Sequence, residues 1–274
     1  MKKNYNCLIA GLPDISVDDR KLPFNTGEFR IETANYLSGK DAGLVDLFFL
    51  KDDNSCVLSL LKKEKPSIGL NPVFPLSILE EEILEPDSNI PSYLSTFISN
   101  YKEENLRYNM SDENVMSWMY YDYAMTCKNE FVRDYFEFEL NVKNIVAAIN
   151  SRNHQLDITK AIIGNNEIAI ALRTVNSKDF GIGMDYPYAE KIISLMEKDD
   201  LVERERGIDL VVWNYLDEAV VFEYFSIERV ISFMLKLRIL ERWSKMTSES
   251  GRKVFMELVE KFKNNFKFDN QYKI

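Results

Sequence analysis

From Met116 to Ile149 the apolar residues return at steps of three and four: Met116, Tyr120, Ala124, Cys127, Phe131, Tyr135, Phe138, Val142, Ile145 and Ile149. On an α-helix that spacing lays them along one face. Neither glycine nor proline interrupts the chain between Ser92 and Ile163. One helix from about Asp112 to about Ser151 would be roughly 60 Å long at 1.5 Å per residue, a strut and not an ordinary core helix. Two shorter helices with a break near Lys128 to Glu130 satisfy the same pattern. Ser111 is placed as the N-cap, with Asp112 and Glu113 in the first turn where the helix dipole favours negative charge.

The first 91 residues hold seven of the eight prolines and five of the ten glycines, so they read as short elements joined by frequent turns. Asn4 to Leu12 fits a short strand or an extended arm. Thr26 is placed to cap a helix reaching Leu37. Leu44, Leu47 and Phe48 suggest a second helix, ended by a turn over Asp52 to Ser55 and followed by a third around Val57, Leu58 and Leu61. Ser77 with Glu80 resembles a capping box ahead of Ile83 and Leu84, Lys65 to Pro75 reads as a loop, and Pro91 suits the first turn of a helix reaching Tyr101. Beyond the strut, Asp157 and Asn166 each cap a short helix, Gly164 sits where a left-handed stop belongs, and Pro187 opens another helix. Asp200 begins a helix to about Phe222, with Gly207 as a weak point costing about 1 kcal/mol relative to Ala. Ser226 caps the next, and Val254, Phe255, Leu258, Val259 and Phe262 mark a final one. Nearly every signal has the helical period, so the fold class is mainly α, a multi-lobed helical bundle divided into an N-terminal lobe with loops (1–110) and a long helix with C-terminal lobes (111–274).

Composition narrows the function. The 274 residues carry 44 acidic and 34 basic side chains, a net charge of −10, which opposes a broad nucleic-acid footprint. Residues 252–274 run the other way, with six Lys or Arg against three acids. No apolar run approaches the roughly 18 residues of a membrane span, and no secretory leader is visible, which points to a cytoplasmic protein. Cys7, Cys56 and Cys127 are odd in number and far apart, fitting neither a disulfide framework nor a metal site.

Candidate chemistry is sparse. His154 is the sole histidine and lies in a polar turn, where a solvated or capping role is expected. Glu203 with Glu205, and Asp217 with Glu218, diverge around a helix and read as charged faces. Gly181-Ile182-Gly183 lacks the third glycine and preceding strand of a dinucleotide fingerprint. Trp118, Tyr120, Tyr121 and Tyr123 have no basic groove beside them and read as core. No residue is therefore assigned a catalytic, cofactor-binding or metal-ligating role.

The second half resembles the C subunit of V/A-type rotary ATPases, called subunit d in eukaryotic enzymes, a funnel of three helical lobes. Glu139-Leu-Asn-Val-Lys-Asn-Ile145 looks like that family's acidic residue followed by an Asn-Leu run at the start of a lobe. Leu201-Val-Glu-Arg-Glu-Arg-Gly-Ile-Asp209 is similar to its Glu-and-Asp helix, and Tyr224-Phe-Ser-Ile-Glu-Arg-Val-Ile231 to the segment leading to a second charged patch, here Glu241-Arg242. Asn141 stands where the family usually has Asp, Asn150 where Arg is expected, and Lys236 to Ile239 lacks a Glu. Residues 7–15, Cys-Leu-Ile-Ala-Gly-Leu-Pro-Asp-Ile, also resemble an uncharacterised bacterial family encoded near V-type ATPase genes in Bacteroidetes. The resemblance implies a non-catalytic central-stalk socket, without cofactor or small-molecule substrate. Its partners would be the shaft subunits and the membrane rotor ring, and it would lie peripheral to the inner membrane. A stand-alone helical scaffold or regulatory module, and an enzyme with a pocket near residues 178–185, are the alternatives.

Overall fold

A computed structural model describes residues 3–246 except 20, 87, 88, 107, 108 and 185. Among the described residues every regular element is helical: α1 (Asn6–Ala10), α2 (Thr26–Ala34), α3 (Gly39–Leu61), α4 (Leu76–Leu84), α5 (Ser92–Lys102), α6 (Asp112–Met125), α7 (Glu130–Asn153), α8 (Ile158–Ala161), α9 (Glu167–Thr174), α10 (Pro187–Met196), α11 (Leu201–Ala219) and α12 (Ile227–Lys245). The protein is a mainly α helical bundle. The helix expected around Val254 to Phe262, and the basic stretch containing it, lie outside the described residues.

The local signals placed several helix ends correctly. Ser111, Asp157, Asn166 and Asp200 are N-caps whose side chains accept backbone N–H groups of the first turn, and Pro187 is the first residue of α10. Gly164 has φ +79°, the left-handed conformation that favours glycine.

The single long helix does not form. Its two halves are α6 and α7, which pack against each other as a hairpin. The turn is built by side chains that compete with helix continuation. Thr126 Oγ1 donates to Tyr123 O at 2.7 Å, and Asn129 caps α7 by accepting Val132 N–H at 3.0 Å.

Conversely, the break expected over Asp52 to Ser55 is absent, and α3 runs unbroken for 23 residues. Its polar middle holds a distant loop. Asp52 accepts Asn71 N–H at 2.9 Å, and the fully buried Asp53 accepts Val73 N–H at 2.8 Å and Phe74 N–H at 2.9 Å. Asn54 accepts the Tyr93 hydroxyl at 2.7 Å. These carboxylates satisfy backbone donors that would otherwise be buried without partners.

Three smaller expectations change too. Residues 6–10 are neither strand nor arm but a short helix, whose entry Asn4 braces by accepting Asn6 N–H at 3.2 Å. The cap of α2 is Asn25 and not Thr26, in a reciprocal capping box with Glu28. Thr26 is occupied elsewhere, its N–H and hydroxyl both donating to Glu241 Oε2 at 3.1 and 2.6 Å. Pro75, with no side-chain cap, precedes α4, so Ser77 and Glu80 form no capping box.

One apolar cluster extends from Tyr5 to Leu237 and crosses residue 110 without interruption. At its centre α3, α6, α7 and α12 meet. Phe48 and Phe136 stack at 4.7 Å, and Tyr120 meets Phe136 edge-on at 5.6 Å. The same helices are tied by polar bonds. Lys51 Nζ donates to both oxygens of Glu139 at 2.6 and 2.5 Å, and Tyr121 Oη donates to Glu139 Oε2 at 3.0 Å. Tyr120 Oη donates to Leu47 O at 2.9 Å and Arg238 to Phe48 O at 2.9 Å, so two successive carbonyls of α3 take donors from α6 and α12. The guanidinium groups of Arg30 and Arg238 each lie 4.9 Å from the centre of the Phe49 ring.

Helix α7 carries the C-terminal elements on its remaining faces. Buried Asn144 pairs with both backbone groups of Ile163, donating to its O at 2.7 Å and accepting its N–H at 3.1 Å. Asn141 accepts from Asn166 at 2.8 Å. Phe138 stacks on Tyr215 of α11 at 3.8 Å with planes 3° apart. Helix α11 runs unbroken through Gly207. A Cβ there would meet Leu195 Cδ2 at 2.3 Å, so the glycine lets α10 approach closely.

Burial opposes the charge on Glu139, but the Lys51 and Lys143 charges and the donated hydrogen bonds outweigh it, and its pKa falls to about 2. For Lys51 burial prevails over the attraction of Glu139, with Lys143 and Arg238 repelling, and its pKa falls to about 7. A carboxyl depressed in the folded state stabilises fully above its unfolded pKa, near 4.5, and that stabilisation is lost as pH falls toward about 2. Glu139→Gln should therefore cost about 2 kcal/mol at about pH 6, where Lys51 still carries its charge, less than the ~3–5 kcal/mol of a fully buried pair, because the two side chains keep 26% and 19% of their surface. Urea midpoints measured from pH 6 to pH 3 should fall more steeply in the native protein than in the variant. Separately, Asp53→Ala should lose about 2–3 kcal/mol in the same assay, since it strands two backbone donors.

Candidate functional site: a groove with an aromatic rim

The residues singled out by pattern are dispersed. His154 ends α7, exposed, its backbone N–H donating to Asn150 O at 3.0 Å. Glu203 pairs with Lys198 at 3.3 Å and Glu205 with Arg242 at 3.2 Å, while Asp217 pairs with Lys236. These three carboxylates lie on charged helix faces. Tyr120 and Tyr121 are buried and Trp118 and Tyr123 half-buried, which makes that run part of the core. Gly181 takes φ +71° in a turn that Asp179 stabilises by accepting its N–H at 3.1 Å. Among the described residues no cluster of His, Cys, Asp or Glu is arranged to hold a metal ion, and no helix is long and apolar enough to cross a membrane.

Among the described residues are several concavities, two of them of about 880 and 490 Å³. The larger of these two opens where three helix ends meet: the start of α3, the α6–α7 turn and the α11–α12 turn. Its wall includes Lys3, Lys40 and Lys128 among five carboxylates, those of Asp41, Glu130, Asp134, Glu223 and Glu228. Buried Glu228 accepts from Asn129 Nδ2 at 2.9 Å, tying α12 to the cap of α7. The N-terminal arm closes one side. Tyr5 N–H donates to Phe225 O at 2.8 Å, and its hydroxyl bonds to Asp41. Burial, then that carboxylate, raises the pKa of the phenol.

Beside this groove lies the turn between α11 and α12, which enters the wall through Glu223. Phe222 is 85% and Tyr224 66% exposed, with Val221 and Phe225 about half exposed beside them. Aromatic side chains clustered in the open are the mark of a contact surface, since interfaces are enriched in Tyr, Phe and Trp. The helix expected to reach about Phe222 ends at Ala219. The signal was present. Val220, Val221, Phe222, Tyr224 and Phe225 place five apolar residues in six, which no single helix face accommodates.

The smaller concavity, about 490 Å³, lies against the 175–183 turn. Lys178 and Phe180 are in its wall, in the region where a pocket near 178–185 was expected; Asp185 is outside the described residues. Arg152 holds the turn in place, donating to Val175 O and Ser177 O at 2.7 Å each and lying 3.5 Å over the Phe180 ring.

A family model described as "Protein of unknown function (DUF2764)" matches residues 1–266. The chain belongs to that family. No curated protein and no solved structure matches it. The match spans both sides of residue 110, so this DUF2764 member carries the N-terminal arm, the groove and the aromatic turn within one family unit.

Because Phe222 and Tyr224 project into solvent, Phe222→Ser with Tyr224→Ser should change stability by less than about 0.5 kcal/mol per site in urea titration. A larger loss would place the rings in the core.

Proposed function

We propose that the chain is a non-catalytic socket subunit of a V/A-type rotary ATPase, seating the central shaft against the membrane rotor ring. The observation that carries this reading is the exposed aromatic turn, Val221 to Phe225, beside the groove of about 880 Å³, whose wall the turn enters through Glu223. The sequence resemblance to that family over about residues 110 to 265 supports it. So does the build of the framework: an adaptor that passes torque needs helices that do not slide past one another, and the ties among α3, α6, α7 and α12 oppose sliding. The groove's five carboxylates against three lysines suit a partner segment that presents basic residues. On this reading the chain meets the membrane sector only through its partners.

The ATPase isolated intact from the source cells through a tag on a head subunit should contain this chain in a fixed ratio. Phe222→Ser with Tyr224→Ser should deplete it from that preparation at least about tenfold while leaving its own fold intact. A native ATPase without any trace of the chain contradicts the proposal.

A further inference from the structure

Gly181-Ile182-Gly183 lies in the turn between α9 and α10, and that turn is built unlike the helices around it. Of residues 175–184 only Phe180 and Ile182 are buried, at 0% and 3% exposure. Its backbone bonds are local. Phe180 N–H donates to Ser177 O at 3.2 Å, Ile182 N–H to Asp179 O at 3.1 Å and Tyr186 N–H to Ile182 O at 3.1 Å. A segment with two apolar anchors and mostly exposed backbone belongs to the part of a fold that opens before the whole does.

Phe180 is also strained. It takes φ +56° and Gly181 follows at +71°, two successive residues in the left-handed region. Glycine adopts that conformation freely, whereas a bulky aromatic residue persists there only when its surroundings hold it. The holder is Arg152, in the last turn of α7. Its guanidinium donates to Val175 O and Ser177 O at 2.7 Å each and lies 3.5 Å from the centre of the Phe180 ring. One side chain thus grips the turn both at its start and at its strained residue. Lys178 also pairs with Glu197, but both side chains are exposed and such a pair adds little. On the inner side, Phe180 joins Ile149, Ile193 and Met196 in the wall of the 490 Å³ concavity.

We propose that residues 175–183 are a flap over this concavity, latched by Arg152, and that the flap swings out as a unit while α7, α9 and α10 stay folded. Opening withdraws Phe180 and Ile182 from their seats, which widens the concavity and uncovers its apolar wall. The left-handed strain at Phe180 is relieved in the open form, so it lowers the cost of opening, and the Arg152 bonds oppose it. The flap therefore gates access to the concavity, and Arg152 sets the balance between closed and open. The inference stands apart from the rotary-socket reading, and neither fails with the other.

Thiol labelling of the full chain with an aromatic disulfide reagent reads the opening. Ile182→Cys puts a thiol at a buried position of the flap, and native Cys56, 1% exposed in α3, reports opening of the core. Cys7 and Cys127, which are less buried, are changed to Ser so that only these two thiols are counted. The thiol introduced at 182 should react at least about tenfold faster than Cys56. Adding Arg152→Met, which keeps the aliphatic stem and removes both carbonyl bonds, should speed the reaction at 182 at least about tenfold further and change that of Cys56 less than about twofold. Should that variant fail to fold, Arg152→Lys, which keeps the charge but lacks the planar fork that spans two carbonyls, should speed it several-fold. Equal rates at 182 and Cys56, equal acceleration of both thiols, or no acceleration at 182 overturns the proposal. Hydrogen exchange of the Phe180 and Ile182 amides repeats the test without any substitution. A weaker urea dependence than that of the α7 amides is expected, and the same dependence overturns the proposal.

Discussion

Everything in this bundle depends on how α3 and α7 are fastened to each other. Phe48 on Phe136 supplies apolar contact, and Lys51 with Glu139 supplies a charged bond beside it, partly shielded from water. Hydrophobic contact alone is non-directional and permits sliding by a turn. The ion pair, with the Tyr121 hydroxyl on the same carboxylate, fixes one register, because a shift would leave a charge facing the core without a partner. Tyr120 and Arg238 add to this by bonding to consecutive carbonyls in the middle of α3, so α6 and α12 are held to the same stretch of the same helix. The outer helices then inherit their positions from α7 through Asn141, Asn144 and Phe138.

How much of this could be read from the chain follows from how local each interaction is. Ser111, Asp157, Asn166 and Asp200 cap helices with N–H groups two or three residues away, and those starts were legible. Asp52, Asp53 and Asn54 look like a turn when read locally, since short polar side chains in a row usually bend the chain. Their partners lie about 20 residues or more onward, in the 71–74 loop and at Tyr93, and nothing nearby in sequence announces them. The α6–α7 turn was legible only as one of two readings, because the apolar stripe continues through it and only Thr126 and Asn129 distinguish a hairpin from a strut. Thr26 shows the same limit: a serviceable cap by type, it serves instead as the donor to Glu241 on α12.

The sites divide in the same way. The aromatic turn left a trace in the sequence, an apolar excess that no helix face absorbs, but it went unread because its exposure depends on α11 ending at Ala219. The concavity against the 175–183 turn was legible only as a loop, because Arg152, Phe180, Met196 and Arg204 in its wall come from separate stretches that the packing of α7, α10 and α11 brings together. Glu241 and Arg242, adjacent in sequence and read as one charged patch, face different helices. Glu241 accepts from the first turn of α2, and Arg242 reaches Glu205 and Asp209 on α11, where Trp243 also donates to Asp209 at 2.6 Å. One turn of α12 thus joins the N-terminal and C-terminal helices. That placement explains why the buried apolar cluster passes through the middle of the chain without a seam.

The central claim is that the described helices are one mechanical body locked at the α3–α7 contact. Native-state hydrogen exchange tests it most directly, because it resolves which helices open together. Slowest exchange shared by the amides of α3 and α7, with an opening free energy equal to that of global unfolding, is the predicted result. Separate opening of residues 26–102 at a lower free energy, while α7 and α10 to α12 remain protected, would contradict it.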